Sequence, residues 1–142
     1  KLDMTLDSRR TKIQLNGLDH FALNVKDMKR SLKFYNELLG FPIIQKSTTQ
    51  AGLQHIEVDA GNVAISLFET PDLDLKAAHK TMTDEGYLHF AFGSTYNRFD
   101  ETMQTLNESG TQTDGKPRDW GNSVSVYFRD PDDHQLEINF KK

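Results

Sequence analysis

One carboxylate close to the C-terminus has the sequence context of a functional residue. Glu137 lies in the middle of residues 135–140, where Leu, Ile and Phe alternate with Gln, Glu and Asn. Such alternation predicts a strand with one apolar and one polar face. The preceding residues 130–133 read Asp-Pro-Asp-Asp and favour a tight turn, because Pro fixes φ and Asp side chains bond nearby backbone amides. A carboxylate in mid-strand on such a hairpin indicates a site rather than a solvated edge.

Two histidines occupy equivalent places in an internal repeat. His20 and His89 are each followed by Phe-Ala in an alternating segment, and each segment precedes an amphipathic helix that ends at a glycine. That glycine comes 20 residues after the histidine in the first copy and 21 in the second. A single His in a strand is more often structural. Two at repeat-equivalent positions, each on the face opposite the apolar one, favour a shared role.

The first copy of the repeat predicts the elements that hold His20. Residues 17–25 alternate as a strand, and Asp27 then provides an N-cap for an amphipathic helix that ends at Gly40. Three short segments with strand character follow, and a tight turn at 60–62 joins the last two. These predicted strands cover residues 43–48, 53–59 and 63–68.

The second copy holds His89 and Glu137 in the same order of elements. A strand at 87–92 is followed by a helix that has apolar residues at spacings of three, four and three, with Gly110 at its end. Strands at 123–129 and 135–140 complete the copy. To match the first copy, the loop before these strands must hold a short strand near 111–113.

We therefore predict an α+β fold of two repeated β-α-β-β-β modules within one domain. The length of 142 residues suits a single domain with a buried core. The predicted boundaries are an N-terminal arm at 1–16 and one domain at 17–142, made of module one at 17–70, a linker at 71–86 and module two at 87–142.

Composition narrows the classes of partner and chemistry. The formal net charge of −4 argues against nucleic acid or an anionic membrane as the main partner. No apolar run approaches the roughly 20 residues that span a bilayer. The chain has no cysteine, which excludes disulfides, zinc-thiolate sites and thiol nucleophiles. With no signal-peptide pattern, a cytoplasmic location is the default expectation.

Four motifs carry a resemblance to a known superfamily: residues 19–25, 34–41, 88–92 and 127–137. Together they resemble the vicinal oxygen chelate superfamily, which includes glyoxalase I, fosfomycin-resistance enzymes, extradiol dioxygenases and bleomycin-resistance proteins. The resemblance covers nearly everything from residue 17 to residue 140. It implies a glyoxalase-like fold in which each module forms a curved mixed sheet, a half-barrel, and paired modules enclose a metal.

Carried over by position, the resemblance implies that His20, His89 and Glu137 ligate the metal. Ser66 stands at the fourth family position, 46 residues after His20, as Glu137 stands 48 after His89. Two imidazoles and one carboxylate can hold a divalent first-row metal on one face and leave adjacent positions open. We expect Fe²⁺ or Mn²⁺, while Zn²⁺, Ni²⁺ or Co²⁺ also suit these donors. Such a metal acts as a Lewis acid or activates oxygen or water.

Further residues are expected around that metal. Tyr127, ten residues before Glu137, falls on the neighbouring antiparallel strand, where the resemblance implies substrate contact and a packed aromatic ring is the alternative. His55 and Glu57 share one strand face and are candidate acid–base groups if that face lines the pocket, the alternative being an exposed face. We expect Ser66 and Phe68 to line the same cavity.

The loop before the Tyr127 strand contains Lys116, Arg118 and Trp120. We expect Arg118 and Trp120 to belong to the substrate pocket and to close over an anionic or aromatic ligand, whereas solvated loop charge is the alternative. His134 follows the acidic turn and is expected to serve the turn rather than to ligate.

Departures from the family pattern leave the reaction open. Glyoxalase I usually needs a carboxylate at the Ser66 position and methylmalonyl-CoA epimerase usually carries Gln there, so neither fits. The dioxygenase signature has Gly where Asp133 stands and an upstream His that is missing, and fosfomycin enzymes have a Thr where Ala22 stands. We predict a metal-dependent enzyme acting on an oxygen-rich small molecule, as a dioxygenase, a lyase or isomerase, or a catalyst of thiol or water addition to an epoxide. A non-enzymatic binder of the drug-sequestering, bleomycin-resistance kind is the competing class.

The resemblance also implies a homodimer. Two-module chains of this size commonly exchange modules, so that His20 of one subunit completes a site with His89 and Glu137 of the other. Whether the modules pair within or between chains stays open in the sequence.

Overall fold

Each half of the chain forms one four-stranded mixed sheet. The computed structural model describes residues 13–74 and 88–142, so most of the predicted arm and linker lie outside the described residues. The first sheet is built from β1 His20–Val25, β2 Ile43–Thr48, β3 Gln54–Asp59 and β4 Ala64–Glu69, and the second from β5 Phe90–Thr95, β6 Arg118–Asp119, β7 Ser123–Arg129 and β8 Gln135–Lys141. Their orders, β1-β4-β3-β2 and β5-β8-β7-β6, are equivalent and confirm the predicted repeat and α+β class.

The strand register brings the polar candidates of each module side by side. The first strand of each sheet pairs in parallel with the last, and the remaining pairs are antiparallel. In the first sheet Glu57 stands directly opposite Ser66, and in the second sheet Tyr127 stands directly opposite Glu137. Ser66 and Glu137 are thus equivalent positions, as their spacing predicted.

The helix of module one begins as predicted but changes its winding. Helix α1, Met28–Leu32, starts at Asp27, whose Oδ1 accepts a hydrogen bond from the Arg30 amide at 3.1 Å. The chain then continues as a π-helix at Lys33–Leu38 instead of the regular helix that the spacing predicts. Phe34 and Tyr35 are adjacent in this wider segment and both are buried. The Tyr35 side chain reaches module two from here, so the widened turns occur where the modules meet.

Module two departs from the predicted boundaries at two places. Strand β5 begins at Phe90, so His89 immediately precedes it rather than lying within it. The short strand predicted near 111–113 is β6 instead, while Thr113 makes only an isolated bridge to Phe128. The Asp119 carboxylate explains the shift, because it accepts from the Gly121 amide at 2.8 Å and from the Lys142 ammonium at 3.0 Å. These bonds fix the β6–β7 turn and hold β6 at the sheet edge.

A 3₁₀ turn at Tyr96–Arg98 leads into the second helix, α2, which covers Phe99–Glu108. No helix in the described part of the chain is long and apolar enough to span a bilayer.

The two modules share one hydrophobic core. The apolar faces of both sheets contribute to it, together with side chains from the helices. Phe21 and Phe90 stack with ring centroids 4.2 Å apart, and Phe34 lies 6.2 Å from Phe128. Since side chains alternate along a strand, the opposite face of each sheet, which carries His20 or Glu137, turns away from this core.

Candidate metal centre

His89 and Glu137 come together through the pairing of β5 and β8. His89 Nε2 lies 3.2 Å from Glu137 Oε1. Glu137 lies in the middle of β8 and its side chain is 12% exposed, whereas the His89 side chain is 36% exposed. This pair presents one imidazole nitrogen and one carboxylate oxygen to the same small volume at the polar face of the second sheet.

The second oxygen of Glu137 is held from the protein side. The buried Ser125 hydroxyl donates to Glu137 Oε2 at 2.6 Å. Trp120 Nε1 donates in turn to Ser125 Oγ at 3.0 Å, as does the Asn139 amide at the same distance. These bonds fix the carboxylate in one orientation, with Oε1 directed at His89. An outer partner of this kind is what a metal-ligating carboxylate commonly has.

His20 is oriented in a comparable way. Its Nδ1 lies 2.7 Å from a carboxylate oxygen of Asp19, which leaves Nε2 as the atom available to a ligand. The His20 side chain is 50% exposed. The hydrogen bond to Asp19 raises the pKa of His20, and the charges of Asp19 and Glu57 add to the rise.

One chain does not bring the three expected ligands to one point. Among residues 13–74 and 88–142, the group of three metal-ligating side chains whose ligand atoms lie within 4.8 Å of one another is Asp130, Asp132 and His134. His20, His89 and Glu137 do not form such a group. Both sheets contribute their apolar faces to the shared core, so His20 and Glu137 lie on faces directed away from it.

The acidic turn at the tip of the β7–β8 hairpin is a structural joint between the modules. Asp132 accepts hydrogen bonds from the Lys26 amide, from Arg30 Nη2 at 2.8 Å and from the Ser31 hydroxyl. Asp130 accepts from the Tyr35 hydroxyl at 2.6 Å and from His134 Nδ1 at 2.8 Å. Both carboxylates are buried and already bonded to protein donors. His134 thus serves the turn, as expected.

Four predicted site residues meet on the polar face of the first sheet. Ser66 is 2% exposed and donates to Glu57 Oε1 at 2.7 Å. His55 Nε2 lies 3.2 Å from Ser66 Oγ, and the His55 ring stacks on Phe68 with centroids 3.9 Å apart. Ser66 pairs with Ala22, which lies two residues after His20 on β1, so this cluster and the first expected ligand share one face.

The remaining predicted residues surround Glu137. Tyr127 is its cross-strand neighbour, and the Tyr127 ring centroid lies 6.3 Å from that of His89 in an edge-to-face arrangement. The Arg118 guanidinium lies over the Trp120 ring, 4.8 Å from its centroid. Trp120 is also bonded to Ser125, which links the exposed Arg118–Trp120 pair to the side chains around Glu137.

Sequence reasoning missed Asp19 and Ser125. Asp19 carried a signal, because it directly precedes a candidate ligand. Ser125 carried a weaker one, because it lies two residues before Tyr127 and therefore on the same strand face.

Two cavities, of about 430 and 620 Å³, lie beside the helices. Neither of them is lined by a predicted site residue.

Comparison with known proteins identifies the relatives of this chain. A sequence model described as Glyoxalase/Bleomycin resistance protein/Dioxygenase superfamily matches residues 17–138. The metallothiol transferase FosB of Staphylococcus haemolyticus is 27% identical over 126 residues, which are 88% of this chain and 84% of FosB. The glutathione transferase FosA of Serratia marcescens is 29% identical over 125 residues, which are 88% of this chain and 81% of FosA.

Solved structures of related fold include proteins that carry ligands. The fosfomycin resistance protein FosX of Listeria monocytogenes has a TM-score of 0.73 at 23% identity, covering 91% of this chain and 96% of FosX. A Glu-to-Gln mutant of FosX, complexed with Mn(II) and 1S,2S-dihydroxypropylphosphonic acid, has a TM-score of 0.72 at 21% identity and covers 91% of this chain and 95% of the mutant. These likenesses show the fold.

Proposed function

The chain belongs to the glyoxalase/bleomycin resistance protein/dioxygenase superfamily, and on that premise we propose that it is a metal-dependent enzyme that opens the epoxide of a small phosphonate such as fosfomycin. The fosfomycin resistance protein FosX, which has the same fold, supports this substrate class, and the transferases FosB and FosA support an enzyme. The observation that carries the proposal is the orientation of the ligands. Asp19 and Ser125 each hold one atom of a ligand side chain and leave its other atom for a cation.

The proposed ligands are His20 Nε2, His89 Nε2 and Glu137 Oε1. Their chemistry fits Mn²⁺ or Fe²⁺ and also Zn²⁺, Ni²⁺ or Co²⁺. Mn(II) is present in a FosX structure of the same fold, which favours it as the first cation to test. A bound divalent cation would supply Lewis acidity at the epoxide oxygen.

A second copy of the chain would complete the site. His20 would come from one protomer, and His89 with Glu137 from its partner. The support is geometric: one chain packs its sheets through their apolar faces, which leaves the two sets of ligands on polar faces that turn away from the core. A homodimer with two equivalent sites satisfies this arrangement.

The residues of this chain supply the remaining chemistry. Glu57 would accept a proton from a water molecule as the water oxygen bonds to an epoxide carbon. The bond from that carbon to the ring oxygen breaks, and the ring oxygen ends as a hydroxyl once a proton returns to it. Tyr127 would contact the substrate beside Glu137, while Arg118 would attract the phosphonate and Trp120 would hold the Arg118 guanidinium in place.

Addition of a thiol is the second candidate reaction. The names of FosB and FosA, a metallothiol and a glutathione transferase, favour it. Glu57 favours water instead, because a neutral water must lose a proton on attack whereas a thiolate has none to lose.

Product analysis tests the proposal. Protein loaded with Mn²⁺ would be incubated with fosfomycin, alone and with L-cysteine or glutathione, and followed by ³¹P NMR and mass spectrometry. We expect a diol without added thiol, and none with His89→Ala. A thiol adduct alone would replace hydration by thiol transfer. Binding without turnover would indicate a sequestering protein, and a protein that takes up no stoichiometric metal would refute the proposed enzyme.

A further inference from the structure

Three side chains on the polar face of the first sheet form a continuous path from solvent to Glu57. Ser47 Oγ lies 3.2 Å from His55 Nδ1, and His55 Nε2 lies 3.2 Å from Ser66 Oγ. Ser66 Oγ lies 2.7 Å from Glu57 Oε1. The strand register places these residues opposite one another, since Ser47 pairs with His55 and Ser66 with Glu57.

When Glu57 is a carboxylate, the number of protons available to donate determines the direction of each hydrogen bond in this path. A carboxylate only accepts, so the single hydroxyl proton of Ser66 points to Glu57. The Ser66 oxygen then accepts, and His55 must therefore carry its proton on Nε2. In the neutral ring Nδ1 accepts, so Ser47 donates to it; the contact of Ser47 with the His55 carbonyl oxygen is longer, at 3.5 Å.

The His55 ring, in the middle of this hydrogen-bond path, is held in place by packing. His55 stacks on Phe68 with ring planes 11° apart, and the two residues are cross-strand partners. Ser66 is almost fully buried, so water does not compete for its hydroxyl. A glutamate side chain has several rotatable bonds, and the hydrogen bond from Ser66 restricts rotation about the terminal bonds of Glu57.

We propose that His55, acting through Ser66, is a positioning residue that holds Glu57 in the orientation needed for proton transfer. The inference rests on the proposed function, because Glu57 is the proton acceptor only if the enzyme activates water. The register places Glu57 on the same sheet face as His20, because Glu57 pairs with Ser66 and Ser66 with Ala22, two residues after His20. Small misplacements of a catalytic group cost rate rather than affinity for a substrate that other residues bind.

Four variants of Mn²⁺-loaded protein test the proposal with fosfomycin as substrate. Ser66→Ala removes the hydroxyl that links His55 to Glu57, and His55→Phe keeps the stacked ring but removes Nε2–H. We expect each to lower kcat at least about tenfold with KM within about twofold, because positioning acts on the transition state. His55→Gln retains an N–H at a similar reach and should restore most of kcat. Ser109→Ala, at the end of α2, is the matched control for loss of a hydroxyl.

The double variant Ser66→Ala/His55→Phe should be no slower than the slower single variant, since both changes interrupt the same hydrogen-bond path to Glu57. Mn²⁺ affinity from calorimetry should match the wild type, and thermal unfolding should show that each variant is folded at the assay temperature even if Tm falls by the cost of a buried hydrogen bond. These two measurements separate positioning from metal loading and from unfolding. Nitrogen-15 NMR of the histidine side chains should place the His55 proton on Nε2 in the wild type and show a changed tautomer balance in Ser66→Ala.

The outcomes separate the two proposals. If the wild type hydrates fosfomycin and kcat is unchanged in Ser66→Ala and His55→Phe, the positioning role is overturned and the function stands. If the wild type binds no metal and forms no diol, the proposed function is refuted, and the proposed positioning role of His55 and Ser66 is refuted with it. A His55 proton on Nδ1 would overturn the hydrogen-bond chain by itself.

Discussion

The Ser125 hydroxyl lies 2.6 Å from one oxygen of Glu137, while the other oxygen of the same carboxylate lies 3.2 Å from His89. One oxygen is therefore held by the protein and the other is offered to the proposed metal. Ser125→Ala should weaken Mn²⁺ binding about 10- to 100-fold, the usual effect of losing an outer partner. Isothermal calorimetry measures it. Ser123→Ala is the matched control, because Ser123 bonds Asn139 and not Glu137; equal losses in both variants would contradict a specific role for Ser125.

We expect Asp19 to make the proposed Mn²⁺ binding sensitive to acid. The hydrogen bond from His20 to Asp19 raises the pKa of His20, so His20 stays protonated to a higher pH than an isolated histidine. Only the neutral ring binds metal, and protons therefore compete as the pH falls through this raised pKa. In Asp19→Asn the competition should begin at a lower pH. Mn²⁺ titrations between about pH 5 and 8 measure the midpoint, and an upward shift in Asp19→Asn would argue against this assignment.

Mixing two inactive variants tests where the proposed site is completed. In a dimer of His20→Ala and His89→Ala chains, one site combines both changes and the other has every ligand. Random exchange would then give about a quarter of wild-type activity, since half the dimers are mixed and each has one intact site. Each variant alone provides the control. Activity that stays at the level of the single variants after subunit exchange would place all three ligands in one chain.

The hydrogen bond from Tyr35 to Asp130, which joins the two modules, should contribute to the free energy of unfolding. Tyr35→Phe removes a buried hydrogen bond to Asp130 and should cost about 1–3 kcal/mol in the free energy of unfolding at neutral pH. Burial, followed by the charge of Asp130, raises the pKa of Tyr35 well above its usual range. The tyrosine contribution is therefore complete below about pH 10 and declines as the pH rises towards the folded-state pKa.

Urea unfolding at about pH 7 and about pH 10.5 measures both effects. The difference between wild type and Tyr35→Phe should shrink at the higher pH. Tyr96→Phe, an exposed tyrosine, is the control. An equal difference at both values would show that Tyr35 titrates alike in the folded and unfolded chains.

Asp133 occupies the left-handed region, with φ of 68°. A residue with a Cβ suffers steric strain there, and Gly does not. Asp133→Gly should therefore be about 1 kcal/mol more stable than Asp133→Ala. Urea unfolding of the two variants under one condition provides the comparison, and a more stable alanine variant would mean that the turn relaxes to another conformation.

Periodicity was enough to predict most of the fold. The strands at 43–48 and 123–129 appear with the predicted bounds because their alternation is local. The position of β6 was wrong, since it depends on the Asp119 bonds to Gly121 and to the distant Lys142. The π-helix was also missed, because its apolar spacing resembles that of an α-helix.

The site divides along the same line. The family resemblance implied the meeting of His89 with Glu137, and strand alternation placed His55 and Glu57 on one face, where Ser66 also lies. How the two modules pack depends instead on long-range contacts such as the bond of Tyr35 to Asp130, 95 residues apart. No short-range pattern contains that information. Asp19 and Ser125 were missed because a hydrogen bond to a ligand side chain depends on rotamers that the sequence does not state.

The register of the two sheets makes the halves of the duplication chemically unequal. Ser66 and Glu137 are equivalent, and so are their partners Glu57 and Tyr127. The first half thus carries its negative charge on the neighbouring strand, displaced by a single strand spacing of about 4.8 Å. Two identical halves would repeat one arrangement of charge. Here the carboxylate lies on different strands in the two sheets, so the same backbone arrangement has two distinct polar faces.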